Sequence, residues 1–371
     1  MPKPEPFTLP PRWTARTLAA LQRHLLQWFD AHRRDLPWRR DRDPYRIWVS
    51  EVMLQQTTVA AVTRYFDRFL QRFPTLESLA IADEQDVLRL WEGLGYYRRV
   101  RHLHAAAKRL VADHAGALPD DAAVWAELPG VGRYILGAVL SQAFDRRLPI
   151  VEANSLRVLA RLFGYTGDPR AGAGQRWVWA AAESLLPEAR VGDFNQALME
   201  LGALVCTPTN PNCDACPWTS TCIARRDGTQ ESIPPRKTLP ETTQVHEVGV
   251  VIRDGAKVLL CRRPSSTRWA NLWEVPHGER LPDEPLEASA TRLARELTGL
   301  TIDPVRELLT IHHTITRWSI ELICVEATRN RGRFTSSFYT AAEWVPPANL
   351  TDYPVSAPQR KLLKSLLRNE A

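Results

Sequence analysis

The sequence predicts a multidomain chain, mainly α in its first part and α+β in its second. Three observations carry this. From Trp13 to about Arg226, apolar residues recur at three-to-four spacing, segment after segment. A polar, Pro-rich stretch follows at 226–244, which is linker composition. Beyond it the pattern changes to short β-branched runs broken by turn residues. The periodicity predicts helices over 14–33, 47–73, 84–90, 98–114, 134–144, 155–163, 176–186 and 194–204. Pro74, Gly93, Gly95, Gly116, Pro119, Gly130 and Gly132 punctuate them. Runs at 248–253 and 257–262 flank Asp254-Gly255 and predict a hairpin. A helix over 286–297, a strand over 320–326 and a closing helix over 359–368 complete an α+β pattern. The expected division is a disordered tail at 1–13, a helical domain at 14–226, a linker at 227–244 and a second domain at 245–371.

A chain of 371 residues is long enough for two or three real cores. With 44% hydrophobic and 24% charged residues it is neither disordered nor a disulfide scaffold. No segment approaches eighteen uncharged apolar residues, so no membrane partner is expected. The Pro-rich start lacks an apolar core of the secretory kind, which predicts an intracellular, cytoplasmic protein. The formal charge is +6, and Lys stands only at 3, 108, 237, 257, 361 and 364, so the cation supply is almost all Arg. Arg favours bidentate contacts with phosphate-like anions.

Six cysteines in such a chain point to metal or redox chemistry before disulfides. Four of them, Cys206, Cys213, Cys216 and Cys222, form C-x6-C-x2-C-x5-C directly after a predicted helix. Four thiolates suit one zinc ion, although zinc more often takes two close pairs. One tight pair flanked by wider gaps suits an iron–sulfur cubane. Cys261 and Cys324 lack ligand spacing and read as core thiols.

Leu128-Pro-Gly-Val-Gly-Arg133 joins two helices. Gly130 and Gly132 permit a tight turn whose backbone N–H groups, at a helix start, can hold a phosphate oxygen. This turn, the apolar helix after it and the cysteine spacing together resemble the endonuclease III superfamily of helix–hairpin–helix DNA glycosylases. The resemblance runs from Asp35 to Cys222 and implies a 4Fe–4S cluster on the four cysteines and double-stranded DNA as partner. Bifunctional members carry a Lys after the hairpin as amine nucleophile. Tyr134 stands there, and Lys108 is the one Lys between Lys3 and Lys237, so a monofunctional enzyme is implied.

Local sequence narrows the resemblance. Leu36-Pro-Trp-Arg39, Trp48-Val-Ser-Glu-Val-Met-Leu-Gln-Gln-Thr57 and Gly93-Leu-Gly-Tyr-Tyr97 are similar to the adenine DNA glycosylases of the MutY type, which remove adenine opposite 8-oxoguanine. Glu51 matches the family's general acid, and the apolar stripe of Trp48, Val52 and Val59 would desolvate it and favour its protonated form. Gln56, Leu94 and Tyr96 match positions that wedge into the duplex, and core packing is an equal alternative for Tyr96. Arg39 matches a pocket residue, with a phosphate contact as its alternative. Where the family has Asp-Gly-Asn, this chain has Glu152-Ala-Asn154. Glu152 is then the expected stabiliser of the sugar cation, with Tyr134 and Asn154 positioning the sugar or the carboxylate, and its longer arm raises the question of altered rate or base choice.

In the second half, Gly278, Glu284, Arg292, Glu296, Gly299 and Leu300 fall on a Nudix frame, preceded by Trp269-Ala-Asn-Leu-Trp-Glu-Val-Pro276. Leu293 and Leu297 replace two of the three glutamates that would hold Mg²⁺, so pyrophosphate hydrolysis is not expected. The stretch resembles the MutY C-terminal domain, a degenerate Nudix-like domain that inspects the opposite base. Thr316 and Arg317 fall on its recognition loop, Arg317 reaching either a purine edge or a phosphate. Adjacent His312 and His313 would face opposite sides of a strand and so form no metal pair. The resemblance implies a monomeric, nucleoid-associated glycosylase releasing adenine mispaired with 8-oxoguanine or guanine. The alternatives are a glycosylase of altered base specificity and a non-catalytic lesion-binding protein.

Overall fold

In the computed structural model, residues 7–11, 13–236 and 241–368 are described. They fall into two units: those of Met1–Ala80 with Ala105–Thr238, and those of Ile81–His104 with Leu239–Ala371. The helices run α1 Ala15–His32, α2 Pro44–Leu54, α3 Val59–Arg72, α4 Leu76–Ala80, α5 Glu84–Trp91, α6 Arg98–His114, α7 Ala122–Ala126 and α8 Arg133–Phe144. Then come α9 Ala153–Phe163, α10 Gly172–Leu185, α11 Val191–Leu204 and the short α12 Ile223–Arg226. The expected single helix over 47–73 is two. Gln56 takes a left-handed φ of 60° after α2, and Thr58 caps α3 by accepting from the N–H of Ala61. A left-handed conformation costs a non-glycine residue roughly 1–2 kcal/mol, so the break is held by the packing on either side of it.

The first unit's core gathers Leu25, Phe29, Leu159, Phe194, Leu198 and Trp218. Residues 7–11 and 13 correct the expectation of a disordered tail. Trp13 is buried, and the Phe7 ring meets Phe163 edge-on at 5.1 Å and Trp177 at 5.4 Å, so apolar anchors order a segment whose Pro content suggested otherwise. Residues 1–6 and 12 of that expected tail lie outside the described residues. The expected linker is also packed at its start: Ile233 is buried against Ala160 and Ala224, and its carbonyl accepts from Arg161 Nε at 2.8 Å. Its residues 237–240 lie outside the described residues.

The second unit is a seven-stranded sheet between helices. Its strands are β1 Thr243–Asp254, β2 Lys257–Arg262, β3 Trp273–Glu274, β4 His277–Glu279, β5 Thr301–Ile315, β6 Trp318–Arg331 and β7 Ala341–Val345, with α13 Leu286–Thr298 and α14 Ala357–Arg368. The order is β3-β2-β1-β6-β5, with β4 on β1 and β7 on β2. β1 and β6 pair in parallel, and the other pairings are antiparallel. Alternation assigns the faces. Val248, Val250 and Ile252 pack with Ala290 and Leu293 of α13, while Val251 packs with Leu362 and Leu366 of α14. Cys261 and Cys324 are fully buried on opposite faces, as core thiols. The hairpin expected at Asp254-Gly255 is present, with Asp254 opposite Lys257.

The segment Ile81–His104 was expected within the helical domain and groups instead with the sheet. Its polar side chains explain this. Tyr97 donates to the carbonyl of Val355 at 2.9 Å, Trp273 Nε1 donates to Gln85 at 2.9 Å, and Arg360 is paired with Glu92. Among the described residues no helix is long and apolar enough to cross a membrane.

Candidate active site

Glu51 lies on α2. Asp43 starts this helix by accepting from the N–H groups of Tyr45 and Arg46, with Pro44 at the first helical position. Tyr45 and every residue from Ile47 to Met53 are buried, so α2 is enclosed on all sides rather than amphipathic. A carboxyl in that position needs partners. The Tyr134 hydroxyl donates to Glu51 Oε2 at 2.5 Å, and Gln142 Nε2 donates to Oε1 at 2.8 Å. Burial raises the Glu51 pKa, and the two hydrogen bonds and the Arg39 charge only partly oppose it. Burial and the Glu51 carboxylate likewise hold the Tyr134 phenol well above its ordinary value.

Tyr134 and Gln142 both belong to α8, which Gly132 caps. In the hairpin before it, Gly130 has φ 76°, a conformation that favours glycine. Gly132 has ordinary backbone angles, and a Cβ built on it meets nothing within 4 Å. Space is therefore open at the N-terminus of α8, where N–H groups lack intrahelical partners.

Glu152 is the N-cap of α9. Its Oε2 accepts from the N–H of Asn154 at 2.8 Å and its Oε1 from that of Ser155 at 2.7 Å, while Ser155 Oγ accepts from the Glu152 N–H at 2.9 Å. This reciprocal pair is a capping box with the acid in the first position. Burial raises the Glu152 pKa. The two N–H groups and Arg157 oppose it, and the Glu51 charge adds to it, so the two carboxyl groups feel each other across the site.

The expected helpers divide differently from the sequence-based expectation. Tyr134 serves Glu51 directly. The Asn154 side chain turns to Arg157, accepting from Nη2 at 3.0 Å, and only the Asn154 backbone reaches Glu152. Arg39 is drawn away from a free anion-binding role: its Nη2 donates to buried Glu200 at 3.0 Å, beside Arg34 at 2.7 Å. Burial would raise the Glu200 pKa, but the two guanidinium groups bring it down to about 2. Sequence reasoning missed Gln142 and Glu200. Each is a polar residue set among mostly apolar residues of a buried helix, and that was the available signal.

Gln56 is exposed at the turn after α2. In the other unit, Leu94 does not stand as a wedge. It is 5% exposed, folded under the turn that follows α5, where its N–H donates to the Trp91 carbonyl at 3.1 Å. Gly93 and Gly95, with φ 99° and 69°, permit that turn. Tyr96 projects from it, 61% exposed with φ 47°, and Arg99 lies over its ring at 5.5 Å. Core packing belongs to the neighbouring Tyr97.

The four clustered cysteines are free thiols, half-buried, with Cys206, Cys216 and Cys222 packed on the first core. Burial pushes Cys216 up to about 12 and raises Cys213 and Cys222. Donors already point at the sulfurs. Arg161 Nη1 reaches Cys206 Sγ at 3.3 Å, the Trp218 N–H bonds Cys216, and the N–H groups of Arg225 and Ala224 bond Cys222. Among the described residues no three His, Cys, Asp or Glu side chains are placed to hold a single ion.

On the second unit, Thr316 and Arg317 form the exposed two-residue tip of the long β5–β6 hairpin, Thr316 with φ 55°. β5 is fifteen residues long and reaches well beyond the strand read at His312-His313, and Pro304 and three register shifts interrupt its alternation. The Nudix frame is occupied by internal bonds. Arg292 grips Glu284 at 2.8 Å and Glu296 at 3.2 Å, and Leu293 is buried. Of the two strand histidines, His312 is exposed and His313 half-buried, as opposite faces require.

A helical unit with an enclosed acid and a capped second carboxylate, joined to a Nudix-type sheet, defines a class. Residues 49–181 match the HhH-GPD superfamily of base excision DNA repair proteins, and residues 247–365 match the NUDIX domain family. The chain is 36% identical over 356 residues to the adenine DNA glycosylase of Homo sapiens, covering 80% of this chain and 65% of the human protein. It therefore spans just under two thirds of that relative's length. Against the adenine DNA glycosylase of Buchnera aphidicola subsp. Schizaphis graminum it is 34% identical over 262 residues, covering 70% of this chain and 76% of the relative. A solved structure of a thermostable thymine-DNA glycosylase covers 57% of this chain and 98% of its own at TM-score 0.52 and 29% identity. The chain belongs to the adenine DNA glycosylase family.

Proposed function

We propose that this chain is a monofunctional DNA glycosylase that hydrolyses the N-glycosidic bond of adenine mispaired with 8-oxoguanine or guanine. The observation that carries the reading is the pairing of an enclosed carboxyl whose pKa burial raises, Glu51, with a second carboxyl, Glu152, anchored on a helix N-terminus. Glu51 transfers its proton to a ring nitrogen of the extruded adenine as the bond from sugar to base breaks, and the bonding electron pair leaves with the base. The sugar becomes cationic, and the Glu152 carboxylate stabilises it. Water then adds at the anomeric carbon, its hydroxyl completing the abasic sugar and its other proton restoring an acid. Tyr134 steadies Glu51 as the charge changes. Lys108 sits on the exposed face of α6, which supports hydrolysis by water rather than by an amine.

The hairpin at Gly130–Gly132 would hold a phosphate of the duplex, Gln56 and Tyr96 would meet unstacked bases, and the tip at Thr316–Arg317 would face the opposite strand. Single-turnover base release from duplexes with adenine opposite 8-oxoguanine, guanine and cytosine tests the reading. Adenine release from the first two is expected. Release of a different base, or tight binding without an abasic product, would replace the reading with one of its alternatives.

The four cysteines would hold a 4Fe–4S cluster as thiolates. When bound, the cluster would fix the 206–222 loop by tying its four cysteines to one centre. The N–H and guanidinium donors at the sulfurs suit that ligation, and a cationic centre is what draws protons from thiols raised by burial. Purified protein is expected to be brown, with about four iron and four sulfide per chain. Colourless protein carrying stoichiometric zinc would overturn this assignment.

A further inference from the structure

We propose that Gln142 is a positioning residue for the acid: its amide N–H grips Glu51 Oε1 and strengthens its hold as the carboxyl gives up its proton. The inference rests on the reading of Glu51 as the proton donor and deepens it. Gln142 lies on α8 among Ile135, Ala138, Val139 and Leu140, all buried, and is itself 6% exposed. Burying a carboxamide in such a place is unfavourable unless it is hydrogen-bonded. Its Nε2 finds Glu51 at 2.8 Å.

The arrangement is chemically specific. Tyr134 and Gln142 stand two turns apart on one helix and take one carboxyl oxygen each, which fixes the plane of the carboxyl group. A neutral amide does not hold Glu51 permanently ionised, as a Lys or Arg in its place would. The bond is nevertheless worth more to a carboxylate than to a carboxylic acid, because charge assistance roughly doubles a hydrogen bond. Gln142 therefore favours the state reached after proton transfer. Because Tyr134 and Gln142 follow the glycine hairpin on the same helix, whatever seats that hairpin also seats the two donors.

Three other charged or titratable groups face Glu51: Tyr134 on α8, Arg39 on the 37–39 turn and Glu152 at the start of α9. The test therefore leaves those three in place. Gln142→Met keeps the volume and removes the donor. Gln142→Asn keeps an amide that is one methylene too short to reach. The Glu51 carboxyl is followed by carbon-13 NMR titration of the free protein, its resonance identified by its loss in Glu51→Gln. In both variants the Glu51 midpoint is expected to rise by about one pH unit or more, the size of a lost charge-assisted bond. Adenine release at neutral pH should fall by about tenfold, and the alkaline limb of its pH profile should move up with the midpoint. An unmoved midpoint in folded variants of an active enzyme would remove Gln142 from the mechanism and leave Glu51 in place. A wild type that releases no adenine while its Glu51 midpoint responds to Gln142 would remove the acid role itself, and the proposal with it.

Discussion

Glu51→Gln is expected to bind mispaired duplex normally and to lose adenine release by on the order of a thousandfold or more under single turnover. The enclosed setting makes the loss large: among the groups facing the site, Tyr134 is held far too weak an acid to substitute, and Arg39 is committed to Glu200. The same variant should be the more stable protein at neutral pH. The sign follows from burial. The folded-state pKa of Glu51 lies above its unfolded value, so the favourable contribution of the protonated carboxyl is complete below the unfolded value of about 4.3. It is lost as pH rises through the raised folded value. Glutamine has no such loss, and its side-chain oxygen still accepts from Tyr134. Thermal unfolding followed against pH should therefore show the two proteins converging in acid and separating toward neutrality, with Glu51→Gln higher. A variant that is inactive and also less stable at every pH would indicate a disrupted fold rather than a missing proton.

Much of this site was legible in the sequence because its parts depend on backbone signals. The hairpin needs glycine where φ is positive, and Gly130 supplies it. The break that exposes Gln56 was less legible, since a continuous apolar period ran through it. The cap at Thr58 was the local sign against one long helix. What sequence could not give was the partner of each buried charge. Arg39 looked available because its carboxylate, Glu200, lies 161 residues away on α11. Leu94 and Tyr96 flank one glycine, and apolar character alone does not say which turns inward. Phe7 and Trp13 lie in a Pro-rich start that composition marks as disordered, yet ring contacts with Phe163 hold them. Local signals were readable, and pairings across the chain were not.

Glu152 brings the two kinds of information together, and Glu152→Asp is the variant that separates them. Seen as a sequence change, one additional methylene moves the carboxylate, and about 1 Å of misplacement can cost on the order of a hundredfold in rate. In the structure both oxygens are tied to the N–H groups of Asn154 and Ser155, so the helix start sets their position and the side-chain torsions absorb the extra length. Aspartate is among the preferred N-cap residues and makes the same bonds. Glu152→Asp is therefore expected to keep its stability and to release adenine within about tenfold of wild type, less than the full cost of a 1 Å displacement. Glu152→Gln keeps one acceptor for the cap but no charge for the sugar cation, and should lose on the order of a hundred- to a thousandfold. Glu152→Ala should lose as much activity and in addition about 1 kcal/mol of stability with the cap. The discriminating measurement is the single-turnover rate of Glu152→Asp beside that of Glu152→Gln, with unfolding midpoints for both. If Glu152→Asp fell as far as Glu152→Gln while remaining fully folded, the reach of the longer arm, and not the helix start, would be what places the charge.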